Sequence, residues 1–133
     1  FVAKINLFCQ QNSTNSAMDE FTQPLRLNTE QWQDITRCVM SNAMTNPDEL
    51  GAASVDYLMF SGYVTLAYFW AQMAKTAQDK LSQSTDDEKF YQAKITTARF
   101  YFQRMLPRAL GHAACVTNGA DSIMSLDAQD FAF

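Results

Sequence analysis

Cysteine, histidine, glycine and proline are all scarce in this sequence, and each scarcity excludes a kind of site. The 133 residues include three cysteines, one histidine, four glycines and three prolines. The cysteines at 9, 38 and 115 are far apart and form no CxxC pair, which argues against a disulfide framework or a zinc site and favours a cytoplasmic location. The glycines at 51, 62, 111 and 119 stand singly, so no glycine-rich loop is present to hold nucleotide phosphates.

Charge is also scarce, and its balance is acidic. Charged residues make up 18% of the chain, against about a quarter in soluble domains. The net charge is −4 and the ten lysines and arginines are spread along the sequence, so no nucleic-acid partner is expected. The shortage of charge indicates instead that another domain or a second copy covers part of the surface.

The N-terminal run FVAKINLFCQQNS lacks the basic start, long apolar core and cleavage site of a signal peptide. The length fits one domain. Because the chain starts with Phe1 inside an apolar pattern, we expect residues 1–133 to be one domain and a piece of a longer chain.

What the sequence does contain is a long uncharged segment rich in aromatic residues. Residues 57–74 carry no charged side chain, and 18 residues are just long enough for a membrane-spanning helix to be considered. Ser61, Thr65 and Gln72 interrupt the segment, however, and its helical periodicity continues beyond both ends. We therefore expect a buried helix of a bundle and no membrane insertion.

Apolar spacing predicts two helices before this segment. The first opens the chain and fades into the polar run 12–16, and its apolar residues are Val2, Ile5, Phe8 and Cys9. The second is expected to begin near Asn28 or Thr29, because Pro24 before them is typical of a break and both can supply a cap. Its apolar stripe consists of Trp32, Ile35 and Val39.

The third helix is expected to run from Asn46-Pro47 to about Leu81, with Asn46 as a cap. It carries two apolar stripes, so it should be the central helix. The first stripe, which we expect to form the main seam with a neighbouring helix, advances by alternating steps of four and three: Val55, Met59, Gly62, Leu66, Phe69 and Met73. The second stripe lies beside it: Tyr57, Phe60, Val64, Ala67 and Ala71.

A fourth helix follows the polar link 82–87, with Ser84 or Thr85 as its cap, and extends to Val116. Because the link is short, the third and fourth helices should form an antiparallel hairpin. The sequence thus predicts an all-α, up-and-down four-helix bundle with two long central helices. After Gly119, a helix stop, Asp127 can cap one last turn and Phe131 can dock.

The hairpin predicts which residues lie side by side, namely those whose numbers add to about 168. Gly62 is then expected opposite Met105 and Leu106, where its missing side chain would accept a bulky neighbour. Pro107 removes one backbone hydrogen bond and should bend the fourth helix.

The same register places Asp56 near Arg108 and His112. An unpaired buried carboxylate would cost several kcal/mol, so pairing with one of these two residues is the expected explanation of Asp56. His112 has no ExxH partners for a metal site and is expected to be hydrogen-bonded in the seam. Cys115, one turn from His112, is a weak nucleophile candidate. No catalytic, cofactor-binding or metal-binding residue is predicted.

Two further features have structural explanations. The acidic clusters Asp48-Glu49 and Asp86-Asp87-Glu88 lie at helix starts, where the helix dipole accounts for them. The aromatic residues leave open a small-molecule site between the helices, although aromatic stripes at helical spacing are more often core. Such a site would consist of Tyr63, Phe69, Trp70, Phe100 and Tyr101.

Two segments carry a family resemblance: YLMFSGYVTLAYFWAQMAKTA at 57–77 and FYQAKITTARFYFQRMLPRA at 90–109. With the following GADSIMSL, they resemble the C-terminal helical domain of a subgroup of bacterial acyl-CoA dehydrogenases, the methylmercaptopropionyl-CoA dehydrogenase-like subgroup. The resemblance covers about Leu50 to Phe131 and is looser over the first two helices. The residues that carry it are Tyr57-Leu58, Gly62, Phe69-Trp70, Met73-Ala74, Phe90-Tyr91, Ala93-Lys94, Ala98-Arg99-Phe100 and Leu106-Pro107.

The resemblance implies a parent enzyme that dehydrogenates an acyl-CoA at the α,β position with FAD. The flavin, the acyl-CoA and the catalytic glutamate would belong to upstream domains, and no catalytic residue carries over to this chain. The implied partners are those upstream domains and, because the long hairpin would be only partly covered, a second copy in a homo-oligomer. The alternative is a freestanding helical protein-interaction or homodimerisation module.

Overall fold

The computed structural model describes residues 1–83 and 85–132, and every regular element in them is helical. The α-helices in chain order are α1 Val2–Gln11, α2 Asp19–Ala43, α3 Asp48–Ser82, α4 Glu88–Phe100, α5 Ala109–Thr117 and the short α6 Asp121–Met124. The predicted all-α bundle is confirmed. As expected, α3 is central, because it packs against α2, α4 and α5.

The predicted start of the second helix is wrong. α2 begins at Asp19, well before Asn28. A 3-10 turn, Ser16–Met18, leads into it, and Asn15 Oδ1 caps this turn by accepting a hydrogen bond from the Ala17 N–H at 3.2 Å. The helix therefore starts shortly after the polar run that follows α1.

Pro24 is accommodated inside α2 rather than breaking it. Asn28 does not cap a helix but donates from Nδ2 to the Pro24 carbonyl oxygen at 2.9 Å. Phe21 and Leu25, on either side of the proline, are completely buried. Burial of two large side chains contributes more than the one backbone hydrogen bond that proline removes, so the helix continues through it.

α3 has nearly the predicted bounds. Asn46 Oδ1 accepts a hydrogen bond from the Asp48 N–H at 3.1 Å, as expected of a residue that caps the helix start. Of the two caps predicted for the next helix, Ser84 lies outside the described residues. Thr85 Oγ1 accepts a hydrogen bond from the Asp87 N–H at 3.2 Å, one residue before α4.

The prediction of which α3 stripe forms the main seam is wrong. The second stripe is the buried one, with Phe60, Val64, Ala67 and Ala71 completely inaccessible, while the first stripe faces solvent. The buried side also carries Ala53, Ala74 and Ala77. Small side chains let neighbouring helices approach closely, so α3 turns its alanine-rich side inward and leaves bulkier residues outside.

The predicted fourth helix is divided into α4 and α5. A π-helical turn, Tyr101–Met105, and a 3-10 turn, Leu106–Arg108, lie between them. In the π turn the Leu106 N–H donates to the Tyr101 carbonyl oxygen, five residues back. Pro107 has no N–H, so the disturbance expected there takes the form of changed backbone hydrogen bonding over two turns.

The C-terminal segment is attached to α3 near its start. Gly119 has a φ of +76°, as expected of a residue that stops a helix, and it directs the chain away from α5. The next N–H, of Ala120, donates to Glu49 Oε1 at 3.1 Å. Glu49, predicted to serve only the helix dipole, therefore also holds the tail.

Beyond this attachment the tail is exposed. Asp127 caps a final 3-10 turn, Ala128–Phe131, in a capping box with Asp130, as the sequence predicts. The expected docking of Phe131 is absent, because its side chain is 63% exposed. Neither α6 nor the final turn contains a buried residue, so this segment offers no core for Phe131 to join.

Candidate functional site

The most distinctive surface of the molecule is the outer side of α3. Six large apolar side chains on it are between 36% and 70% exposed. We call this surface the α3 face, and it consists of Val55, Leu58, Met59, Leu66, Phe69 and Met73, with Gly62 among them. The largest apolar patch on a typical monomer is about 300–600 Å² and is often a binding surface. The α3 face, with six exposed large apolar residues along one helix, is therefore a candidate binding surface.

Gly62 lies on this face and not in the hairpin seam. No heavy atom comes within 4 Å of the position that a Cβ would take, so the expected packing against Met105 and Leu106 is absent. Leu106 is instead buried in the core. Gly62 points outward because α3 buries the opposite side, which carries Phe60.

A groove beside the α3 face runs between α3 and α4. It has a volume of about 550 Å³ and is bounded by Phe69 and Met73 on α3 and by Phe90 and Tyr91 on α4. Lys94 Nζ lies 5.1 Å from the centre of the Phe90 ring, in a cation–π arrangement. The apolar surface of α3 thus extends sideways onto α4.

The other border of the hairpin contains the pair that the sequence predicted around Asp56. His112 Nδ1 lies 2.7 Å from Asp56 Oδ1, and both side chains are partly exposed. A carboxylate can only accept, so the imidazole donates from Nδ1. The His112 ring also stacks on Tyr63, with ring centres 5.7 Å apart. Arg108, the other expected partner, forms no ion pair with Asp56 in residues 1–83 and 85–132.

Tyr101 fills the middle of the same seam. It is 7% exposed, donates from its hydroxyl to the Tyr63 carbonyl oxygen at 2.9 Å, and lies parallel to Trp70. Burial, and to a smaller extent the neighbouring Tyr63, raises the pKa of Tyr101 to about 12. Tyr101 is the first residue of the π turn.

This packing divides the aromatic set that could have formed a small-molecule site. Tyr63, Trp70 and Tyr101 pack into the seam, whereas Phe69 and Phe100 are about half exposed. The five rings therefore do not converge on one cavity. The site hypothesis based on them is not supported, because a ligand pocket needs convergent walls.

The cysteines and His112, all within the described residues, are not arranged as a catalytic pair. Cys115 is exposed, and the Nδ1 of the neighbouring His112 is directed to Asp56. Burial raises the pKa of the Cys9 thiol, which disfavours its thiolate. No group of three or more potential metal ligands occurs in the described part of the chain. None of the described helices combines the length and apolar content needed to cross a membrane.

The glycines do not fit the pyrophosphate of FAD. A Cβ at Gly119 would lie 3.2 Å from the Glu49 carboxylate, a group that repels phosphate. Gly51, Gly62 and Gly111 have no heavy atom within 4 Å of a Cβ position, so no close approach of backbone to ligand depends on them. The four glycines, all within the described residues, therefore form no cradle for a dinucleotide.

We expect a double-mutant cycle to detect coupling between Asp56 and His112 of about 1 kcal/mol, since the pair is hydrogen-bonded but partly exposed. Urea unfolding of Asp56→Ala, His112→Ala and the double variant measures it. Replacing His112→Ala by Arg108→Ala in the cycle is the matched control and should give no coupling. A larger coupling with Arg108 than with His112 would contradict the assignment.

Comparison with known proteins gives two findings. A family model described as "Acetyl-CoA dehydrogenase C-terminal like" matches residues 1–127. The chain is also 29% identical over 87 residues to 3-methylmercaptopropionyl-CoA dehydrogenase of Ruegeria pomeroyi, which covers 65% of this chain and 15% of that relative. The resemblance expected from Leu50 onward is confirmed, and the family match extends through α1 and α2.

Proposed function

The chain belongs to the acetyl-CoA dehydrogenase C-terminal-like family, and from this premise we propose that it is a non-catalytic accessory domain of an FAD-dependent acyl-CoA dehydrogenase. The parent enzyme would dehydrogenate an acyl-CoA at the α,β position. The matched relative supports this, because its name is that of an acyl-CoA dehydrogenase and the aligned region is a small part of its length. We assign the flavin, the acyl-CoA and the cytoplasmic reaction to upstream domains, and no reaction step to these residues.

The role we propose for the domain is to make contacts, either with those upstream domains or between subunits. The observation that carries it is the exposed α3 face. Large apolar residues left in water on one side of the central helix contribute stability only if another surface covers them. The aromatic and methionine side chains on this face are the types enriched at protein interfaces.

Removing residues 1–133 from the full-length parent tests this role. We expect the truncated enzyme to retain bound flavin, measured by absorbance, and acyl-CoA-dependent reduction of an acceptor dye. The number of subunits per particle, which is the mass from light scattering divided by the chain mass, should fall because the contact surface is gone. Leu66→Glu with Phe69→Glu in the intact parent should lower the number of subunits in the same way.

Leu27→Glu is the matched control, because Leu27 is equally exposed but lies on α2. It should leave the mass and the flavin content unchanged. A parent that binds no flavin, or a truncation that changes neither the number of subunits nor the activity, would contradict the proposal.

A further inference from the structure

The α3 face has a spacing that reads the same from either end. Its central stripe advances by steps of four, three, four, three and four, from Val55 to Met73. If a second α3 is laid on it in the opposite direction, residues whose numbers add to 128 lie opposite each other. Steps of four and three keep two antiparallel helices in contact along their length. The stripe is therefore complementary to a second copy of itself.

The side-chain sizes in this arrangement also match. Gly62 lies opposite Leu66, and the open space above Gly62 leaves room for the leucine side chain of the second copy. A small residue opposite a large one is the usual way in which helices interlock. The remaining pairs are Val55 with Met73 and Met59 with Phe69.

Charge is complementary at the two ends of the stripe. Continuing the same steps outward from Val55 and Met73 leads to Asp48 and Lys80, whose numbers also add to 128. Both residues are exposed. In the antiparallel arrangement Asp48 of each copy faces Lys80 of the other. Opposite charges that meet in only one register select that register and disfavour slipped pairings.

The groove between α3 and α4 fits the same arrangement. It lies beside Phe69 and Met73, where Val55 of the second copy would pack. Phe90, on the far wall of the groove, would then contact the same end of the second copy. The contact area would therefore exceed that of two isolated helices.

We propose that the α3 face pairs with the α3 face of a second copy, antiparallel, about a two-fold axis between Gly62 and Leu66. The proposal rests on the proposed function, because it names the partner of the contact surface assigned there. A two-fold, self-complementary contact closes on itself. The product is a dimer and not a filament.

Disulfide trapping in this chain tests the register. In a background with Cys38→Ser and Cys115→Ser, we expect Val55→Cys with Met73→Cys to form a covalent dimer in most molecules after mild oxidation. The two sites lie about 27 Å apart along one helix, so a bond within one chain is not possible. Gels without reductant, compared with gels containing it, measure the trapped fraction.

Three cysteine variants and a charge reversal serve as controls for the register. Val55→Cys alone, Met73→Cys alone, and Val55→Cys with Leu66→Cys place no two thiols opposite each other, and each should stay below about a tenth of that trapped fraction. Asp48→Lys should weaken the dimer roughly tenfold, since it reverses two exposed pairs, and adding Lys80→Asp should restore it. Circular dichroism checks that each variant remains helical.

Trapping in a control variant, or failure of Lys80→Asp to restore association, would overturn the proposed register. A monomeric chain with no trapping in the Val55→Cys, Met73→Cys variant would overturn the pairing altogether. That result leaves the proposed function standing if the parent binds flavin and aggregates when it carries Leu66→Glu and Phe69→Glu. Upstream domains would then be the surface that covers the α3 face. Trapping in a chain whose parent binds no flavin would keep the pairing and remove the proposed function.

Discussion

Replacing Phe60 by alanine is expected to lower the free energy of unfolding by about 3–5 kcal/mol, the usual cost of removing a buried phenylalanine ring. Phe60 is completely buried on the inner side of α3. Most of the other buried residues of α3 are alanines, whose side chains are too short to fill the space. Urea unfolding followed by circular dichroism measures the change.

Phe69→Ala is the matched control, because it removes the same ring from the same helix but from the α3 face, where the ring is about half exposed. At protein concentrations low enough to keep the chain monomeric, it should cost less than about 1 kcal/mol. The two substitutions therefore distinguish the stripes of α3. A larger loss from Phe69→Ala than from Phe60→Ala would mean that the stripe expected from the sequence is the core after all.

Raising the pH is expected to destabilise the protein through Tyr101. Its pKa in the folded state is about 12, above the ordinary 10.0, because burial disfavours the phenolate. A raised folded pKa means that this group's contribution is fully present below pH 10, where both states hold the proton. Above pH 10 the unfolded state loses its proton first, so stability falls by up to about 2–3 kcal/mol between pH 10 and pH 12.

Tyr101→Phe should remove this contribution to the slope of the free energy of unfolding against pH. It also removes the hydrogen bond to the Tyr63 carbonyl oxygen. The measurement is the free energy of unfolding in urea at steps of half a pH unit from 9 to 12. Tyr91→Phe retains Tyr101 and serves as the control, because it should keep the slope. An unchanged slope in Tyr101→Phe would show that other groups cause the alkaline loss.

Much of the fold could be predicted because it depends on local chemistry. Asn46 and Asp127 cap helices by hydrogen bonds within three residues, and such contacts are specified by neighbouring sequence. The pairing of Asp56 followed from the short link, since a short connection fixes the register of an antiparallel hairpin. Only the choice between His112 and Arg108 needed the structure.

The errors arose where two local signals compete and tertiary packing decides. Pro24 reads as a break, yet burial of Phe21 and Leu25 carries α2 through it. The two stripes of α3 are both apolar at helical spacing, and hydrophobic periodicity does not rank them. The buried stripe is the one with the smaller side chains, and hydrophobic periodicity carries no information about side-chain size. The position of Gly62 was wrong for the same reason.

The π turn before Pro107 had no signal in the sequence. Proline indicates a disturbance, but the extra residue in the turn depends on how the whole segment fits against α3. Tyr101, the first residue of this turn, lies in the seam and donates to the Tyr63 carbonyl oxygen. The turn itself could not be placed from helical spacing alone.

The hydrogen bond from the Ala120 N–H to Glu49 joins residues 71 positions apart and closes the whole α3–α5 hairpin into a ring. Most backbone N–H groups in a helix are protected from exchange with solvent by a neighbour four residues away, so they report local fraying. The Ala120 amide hydrogen is protected by Glu49 in the first turn of α3, on the opposite arm of the hairpin. Its exchange rate therefore follows separation of the first turn of α3 from the end of α5, a motion in which the exposed tail and the Asp48 end of α3 come free together.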